Sequence, residues 1–341
     1  MTASYTRVDP ITKADKDELD TILDGGSIEL NSSSDIKAAG TVPFIGSLDL
    51  RNDYLRIYSE SFLNDETTRV AHGTFLVATP SFELHGDTIK GRADLYSLLQ
   101  LLSEASIGAP LSLPAGTIVV DYAKNLVEDI GLSVIGDYSD RTLNDVANFD
   151  AGTSLLEVVN WLLAYGGFSS ADVDGYGNVL MARYQDPSIL APVVEFTDGK
   201  DCVFLPGVLH EQDFFNVPNQ VIAIMSNMDR VMTATAINAD PNNRYSTIAR
   251  GGRTITQVEQ VSDIASQDAL QALAEKLLSE KTSAVETIEI KHVYQPFRIG
   301  DAGRLNYSQA GFLFIGVAVR STRELSVGMP CTTRFNRFVR M

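Results

Sequence analysis

The residue types able to do chemistry are dispersed along this chain, and their spacing decides what they can form. Four histidines, His72, His85, His210 and His292, fall in strand-like segments with no H-x-x-x-H spacing. Only His210-Glu211-Gln212-Asp213 places several metal-ligand types side by side. Alternate residues of an extended strand point to opposite faces, so this run closes no ligand set by itself, and a polar strand end accounts for it. Asp172-x-Asp174-x-x-Gly177 opens like a calcium loop, but an EF-hand starting at Asp172 would need an oxygen ligand where Tyr176 stands and a glutamate where Arg183 stands. A hairpin turn explains the same residues. There is no G-x-S-x-G elbow, no Walker lysine loop and no G-x-G-x-x-G after a strand. Carboxylates are so numerous that closeness in sequence identifies no glycosidase pair. Asp121 and Glu128 read as the solvated face of a helix, and Trp161 as a packed ring rather than a sugar platform. No catalytic, cofactor-binding or metal-ligating residue is assigned, and no interface residue can be named. The chain is expected to be a non-enzyme without a cofactor.

The elements that would position such residues are mostly strands. Runs at 27–30, 41–50, 53–63, 68–86 and 87–93 are β-prone and separated by polar, Gly or Pro breaks. In the third run Leu55 and Ile57 alternate with Tyr54, Arg56 and Tyr58, the pattern of a sheet with one buried face. Residues 13–24 are expected to form a short helix with Leu19, Ile22 and Leu23 on one side, closed by Gly25-Gly26. Asp94 to Ala105 is expected to turn helical, with Leu95, Leu98, Leu99 and Leu102 in helical spacing.

Residues 115–184 break the run of strands. Val119, Ala123, Leu126, Val127 and Ile130 recur at helical spacing before Gly131. Ser154 and Glu157 make an S-x-x-E capping box ahead of Leu155, Val159, Leu162 and Leu163, and Gly166-Gly167 ends that helix. Asp174-Gly175-Tyr176-Gly177-Asn178 then turns between two β-prone runs. The segment 185–201, with two prolines, reads as a connector. Strands return at 202–215, 219–227, 230–238 and 253–261, with a polar hairpin at 239–246. A helix from Ser266 carries Leu270, Leu273, Ala274, Leu277 and Leu278 in one stripe, and strands close the chain. No repeat in residue identity links the two halves.

Composition bounds the function. At 341 residues there is length for two or three domains, and 44% apolar residues fit an ordered globular chain. The net charge of −17 argues against gripping nucleic acid, which needs a basic footprint. It does not exclude a surface past which nucleic acid slides, and solubility explains it equally well. Cys202 and Cys331 make neither a disulfide framework nor a C-x-x-C motif. The start, MTASYTRVDPITK, lacks an apolar signal region, and no apolar run reaches the roughly 18 residues that span a bilayer. Synthesis and folding in a host cytoplasm, without membrane insertion, are expected.

In this order the parts resemble the hub proteins of bacteriophage tail tips and baseplates, a family shared with contractile injection systems. The stretches that carry the resemblance are the strand-rich start leading into Asp94-Leu95-Tyr96-Ser97-Leu98-Leu99, TIVVDYAKNLVEDIGL (117–132), SLLEVVNWLLAYGGF followed by DGYGNVL, RTITQVEQV with the helix bearing ALAEKLL, and Pro296-Phe297-Arg298-Ile299-Gly300-Asp301. The resemblance implies an α+β, mainly β fold: an N-terminal β-barrel domain at 1–110, an α/β insert of two helices and a hairpin at 111–186, and a C-terminal β-barrel domain at 187–341 with an embedded helix near 266–281. It further implies a structural protein of the virion, a homotrimer whose six barrels form a pseudo-sixfold ring. Such a ring joins the tail tube, or a distal tail protein, to a central spike or fibre. The tape-measure protein and then DNA pass through its lumen without specific binding. Some relatives carry a fused cell-wall hydrolase; the last strand here ends close to Met341, so such an activity is expected to lie in another protein. Two other classes are a tail-associated cell-wall hydrolase, which needs a close acidic pair in a cleft, and a glycan- or receptor-binding protein, which favours exposed aromatic clusters.

Overall fold

In the computed structural model the chain is mainly β, with four α-helices among the described residues. The described residues are all of 1–341 except 49, 51, 64, 65, 187, 188, 201, 213, 214, 216, 227–230, 262–266, 284, 285 and 338–341. Strands β1 (Thr2–Val8), β2 (Asp15–Glu18), β3 (Gly26–Asn31), β4 (Ala38–Ile45), β5 (Tyr54–Leu63), β6 (Glu66–His85) and β7 (Thr88–Ser97) come first. Then follow α1 (Leu99–Glu104), β8 (Leu111–Leu113), α2 (Val119–Asp129), β9 (Val134–Gly136), β10 (Ala147–Phe149), α3 (Leu155–Gly166), β11 (Asp172–Val173) and β12 (Val179–Met181). The later part holds β13 (Val194–Thr197), β14 (Leu209–Gln212), β15 (Gln220–Ser226), β16 (Val231–Ile237), β17 (Thr256–Val261) and α4 (Gln267–Ser283). It ends with β18 (Glu286–Val293), β19 (Ala302–Tyr307), β20 (Phe312–Leu325) and β21 (Pro330–Arg337). Two compact units result. One is Met1–Gln185 with His292–Ile299 and Arg320–Thr333; the other is Asp186–Lys291 with Gly300–Val319 and Arg334–Met341.

In the first unit the strands are antiparallel in the order β3-β4-β7-β6-β5-β1-β2, and residues 320–325 of β20 pair with β3. Inward side chains such as Ile28, Val42, Phe44, Leu55, Ile57, Phe75, Leu95 and Leu325 form one core cluster. A second cluster lies between Val8, Tyr54 and Leu98 on one side and α2 with α3 on the other, through Val119, Ala123, Val127, Val159, Leu162 and Leu163. Both helices follow the expected stripes. The Ser154 hydroxyl accepts from the Glu157 N–H at 3.2 Å, and Gly167, left-handed at φ 80°, ends α3.

Several local expectations are overturned here. Residues 15–18 are an edge strand paired with β1, not a helix, and the Leu19 N–H donates to the Tyr5 carbonyl. So short a polar segment cannot repay helix nucleation, whereas a preformed strand edge supplies its hydrogen bonds at once. Asp94–Ser97 belongs to β7, because its alternation buries Ala93, Leu95 and Ser97 against β4 and β6, and helix begins only at Leu99. β5 is buried on both faces: Leu55 and Ile57 face the sheet core, while Tyr54, Arg56 and Tyr58 are covered as well. The 185–201 connector contains β13, which pairs in parallel with β19.

The second unit holds β13 beside β19, β19 beside residues 312–317 of β20, and the pair β14–β18. It also contains a separate layer in which β15 lies between β16 (antiparallel) and β17 (parallel). Helix α4 packs Leu270, Ala274 and Leu278 on Val221, Ala223, Met225, Ala234 and Ala236 of that layer.

Candidate functional site

None of the sequence candidates forms a ligand set. His210 lies in β14 with its Nε2 3.9 Å from Glu286, Glu211 pairs with Arg334 at 2.8 Å, and Gln212 donates to Glu286 at 2.9 Å. The run is an exposed set of strand-to-strand pairs; Asp213 and the side chain of His85 lie outside the described residues. Asp174 closes its own turn, accepting from the N–H groups of Tyr176 and Asn178, both at 2.9 Å. Burial raises the Asp172 carboxyl, opposed by its bond from the Val173 N–H and by the charges of Lys37 and Arg298. No group of three or more His, Cys, Asp or Glu arranged to hold a metal is found among the described residues. Nor, among them, is any helix long and apolar enough to cross a membrane. Trp161 is stacked on Tyr165 and edge-on to Phe149, partly buried against the helical core.

The structure instead brings together two arginine-centred clusters in the first unit, neither legible from spacing. The first explains why the outer face of β5 is covered. Arg56, 4% exposed, reaches Asp15 Oδ1 at 2.6 Å, Thr74 Oγ1 at 2.8 Å, the Tyr176 carbonyl at 3.0 Å and the Lys13 carbonyl at 3.3 Å. Thr74 in turn donates to the Gly175 carbonyl at 3.0 Å, and Tyr58 donates to Asp15 at 2.6 Å. One planar fork thus ties β2, β5, β6 and the 174–178 turn together. Glycine is required in that turn: a Cβ on Gly175 would lie 2.3 Å from the Ala71 carbonyl oxygen, and one on Gly177 would lie 2.7 Å from Leu98 Cδ1. The loop that imitates a calcium site is instead tied to β5 and β6 through Arg56 and Thr74.

The second cluster surrounds Arg323 of β20. Its Nη1 lies 3.0 Å from His72 Nδ1, its Nη2 3.5 Å from the Phe297 carbonyl, and its guanidinium 5.3 Å from the Tyr294 ring. His72 Nε2 is 2.8 Å from Ser59 Oγ. Beside it, His292 Nδ1 meets the Val293 carbonyl at 2.7 Å and Nε2 meets Thr333 Oγ1 at 2.8 Å, which is 2.9 Å from Ser321 Oγ. Arginine can only donate, so His72 Nδ1 must accept, and its proton sits on Nε2 facing Ser59. A carbonyl can only accept, so His292 carries its proton on Nδ1 and takes the Thr333 hydroxyl proton on Nε2. Both imidazoles are neutral in this arrangement. Burial, reinforced by Arg323, pulls His72 from 6.5 to about 3. Burial also takes His292 to about 4, against its bond to Val293 and with a further push from Arg323. Burial raises the Cys331 thiol to about 11, so it too is neutral.

The Ser59–His72 contact has the outline of a nucleophile and its base, but its polarity is reversed. A base must present a lone pair to the hydroxyl and be oriented by a carboxylate; His72 presents a proton to Ser59 and is oriented by a cation. Ser59 is also only 1% exposed. The cluster acts as a key between strands: His292, Tyr294, Ser321, Arg323 and Thr333 come from the returning C-terminal segments, Ser59 and His72 from β5 and β6.

No protein-family model matches the sequence, and no curated protein matches it. Solved structures match in fold. The tail protein from Neisseria meningitidis MC58 is 15% identical, with a TM-score of 0.70 over 98% of this chain and 97% of that one. The 43 kDa tail protein of prophage MuSo2 from Shewanella oneidensis is 11% identical, with a TM-score of 0.69 over 99% of this chain and 98% of that one. The E. coli c3393 protein, a type VI secretion component described as similar in structure to the T4 tail proteins gp27 and gp5, gives 0.51 at 10% identity over 95% of this chain and 77% of that one. In fold, this chain is similar to phage tail proteins and to a type VI secretion component, as the resemblance in sequence implies.

Proposed function

We propose that this chain is a structural hub of a phage tail tip or baseplate, not an enzyme. Its coextensive match in fold to two tail proteins, over nearly the full length of all three chains, carries this reading. In it, 1–110 and 187–341 each supply a β-barrel and 111–186 is an insert between them. Three copies make a pseudo-sixfold ring in the virion, set between the tail tube and a central spike or fibre. The tape-measure protein and DNA traverse its lumen, and a net charge of −17 lets DNA slide rather than stick. Both arginine clusters support a mechanical role, since they spend buried cations on fixing strands to one another. The mass of the purified chain in solution tests the ring, and a trimer is expected. Clearing of bacterial cell wall by the purified chain in a zymogram would overturn the structural assignment.

A further inference from the structure

The ring requires a heterologous contact, in which one patch of each copy meets a different patch of the next. Two uncharged surfaces of this acidic chain are shaped for it. The first is the arm formed by the ends of β6 and β7. β5 pairs with β6 only as far as Phe75, and β4 pairs with β7 only from Tyr96 to Lys90, so residues 84–89 have only each other as strand partners and residues 81–83 pair only with 90–92. Phe82 lies opposite Gly91 and Leu84 opposite Ile89, which puts all four on one face. Phe82 is 61% and Leu84 69% exposed, although Phe44, paired with Gly91 on that face, is buried in the core. The opposite face carries Glu83, Lys90 and Arg92. An arm charged on one side and apolar on the other is built to lie on something.

The second surface is the outer face of the β15–β16–β17 layer, opposite α4. Register places Ile237, Gln220 and Thr256 in one row, Thr235, Ile222 and Val258 in the next, Thr233, Ile224 and Gln260 in the third, and Val231 with Ser226 at the end. Not one of these side chains is ionisable, although 21% of the chain is Asp, Glu, Lys or Arg. Val231 and Val258 are 67% and 52% exposed. The Gln267 and Gln271 side chains donate to the Thr233 and Thr235 carbonyls, so the edge of β16 is partly occupied and the face is what remains to bind.

We infer that the apolar face of the 81–91 arm of one copy docks on the uncharged outer face of β15–β16–β17 of the next copy. Copies of like charge repel wherever ionised surfaces approach, and a charge buried without a partner is penalised, so two charge-free patches make a favourable pair. The inference rests on the ring reading. Phe82→Ser with Leu84→Ser removes the arm, and Thr235→Lys with Val258→Lys spoils the face; all four positions are exposed, so circular dichroism and melting should match the parent. The parent is expected to be a trimer by native mass, and each variant a monomer. Mixed, the two variants should form a one-to-one dimer, because the intact arm of one fits the intact face of the other and neither can continue the ring. A trimer that survives both variants overturns the inference and leaves the ring standing, as do monomeric variants that fail to pair when mixed. A parent that stays monomeric at every concentration overturns both.

Discussion

Buried arginine is costly unless each of its donors finds an acceptor, and the two arginines here solve that problem differently. Arg56 has a carboxylate, Asp15, beside two backbone carbonyls and a hydroxyl. Its replacement by alanine strands the Tyr176 carbonyl and the Asp15 charge, and is expected to cost about 3 kcal/mol in urea unfolding. Arg56→Lys keeps the charge but not the fork, and should recover only part of that loss. Arg323 relies on neutral His72 as acceptor, which makes stability depend on pH. In the unfolded chain each histidine takes a proton near 6.5, whereas in the folded chain His72 does so near 3 and His292 near 4. Between these limits the unfolded state binds more protons, so stability is complete above about 6.5 and falls as pH drops toward 4. Each histidine contributes a slope of at most about 1.4 kcal/mol per pH unit. Unfolding free energies measured at pH 7, 6 and 5 should show this decline, and His72→Gln should roughly halve its slope, whatever its effect at pH 7.

At the scale of elements, the 174–178 turn is held on β5 and β6 by Arg56 and Thr74. Gly175→Ala places a methyl against the Ala71 carbonyl, and rigid backbone on that side leaves the turn to move. A loss of about 1–3 kcal/mol is expected, with faster hydrogen exchange in residues 172–180 than in α4, which belongs to the other compact unit. If exchange accelerates equally throughout, the turn does not act locally. Helix α3 offers a smaller, cleaner test: Ser154→Ala removes one cap and should cost about 1 kcal/mol with the fold unchanged.

At the scale of the whole molecule, the proposed assembly can be tested through its charge. A ring held by uncharged patches should be nearly indifferent to salt at those contacts, while −17 per copy makes the general repulsion between copies fall as salt rises. Trimer dissociation measured at about 0.05 M and 0.5 M salt is therefore expected to weaken at the higher salt, never to strengthen. An interface made of ion pairs would give the opposite sign.

What the sequence determined alone is local. The cap of α3, the glycine stops of α2 and α3, the apolar stripes of α2, α3 and α4, and the turn at 174–178, are written within a few residues and were legible because those signals act over one or two helical turns. The order of these pieces also carried the likeness to tail hubs. What only the tertiary structure decided depends on distant partners. Arg56 meets Tyr176 across 120 residues and Arg323 meets His72 across 251, and no periodicity in either neighbourhood announces the meeting. The same cause explains the misread segments. Residues 15–18 became strand because β1 offered an edge, Asp94–Ser97 because β4 and β6 enclosed them, and β5 lost its exposed face because a turn far along the chain settled on it. Local free energies of a few tenths of a kcal/mol per residue set the first kind of feature; burial of a side chain, worth about ten times more, set the second.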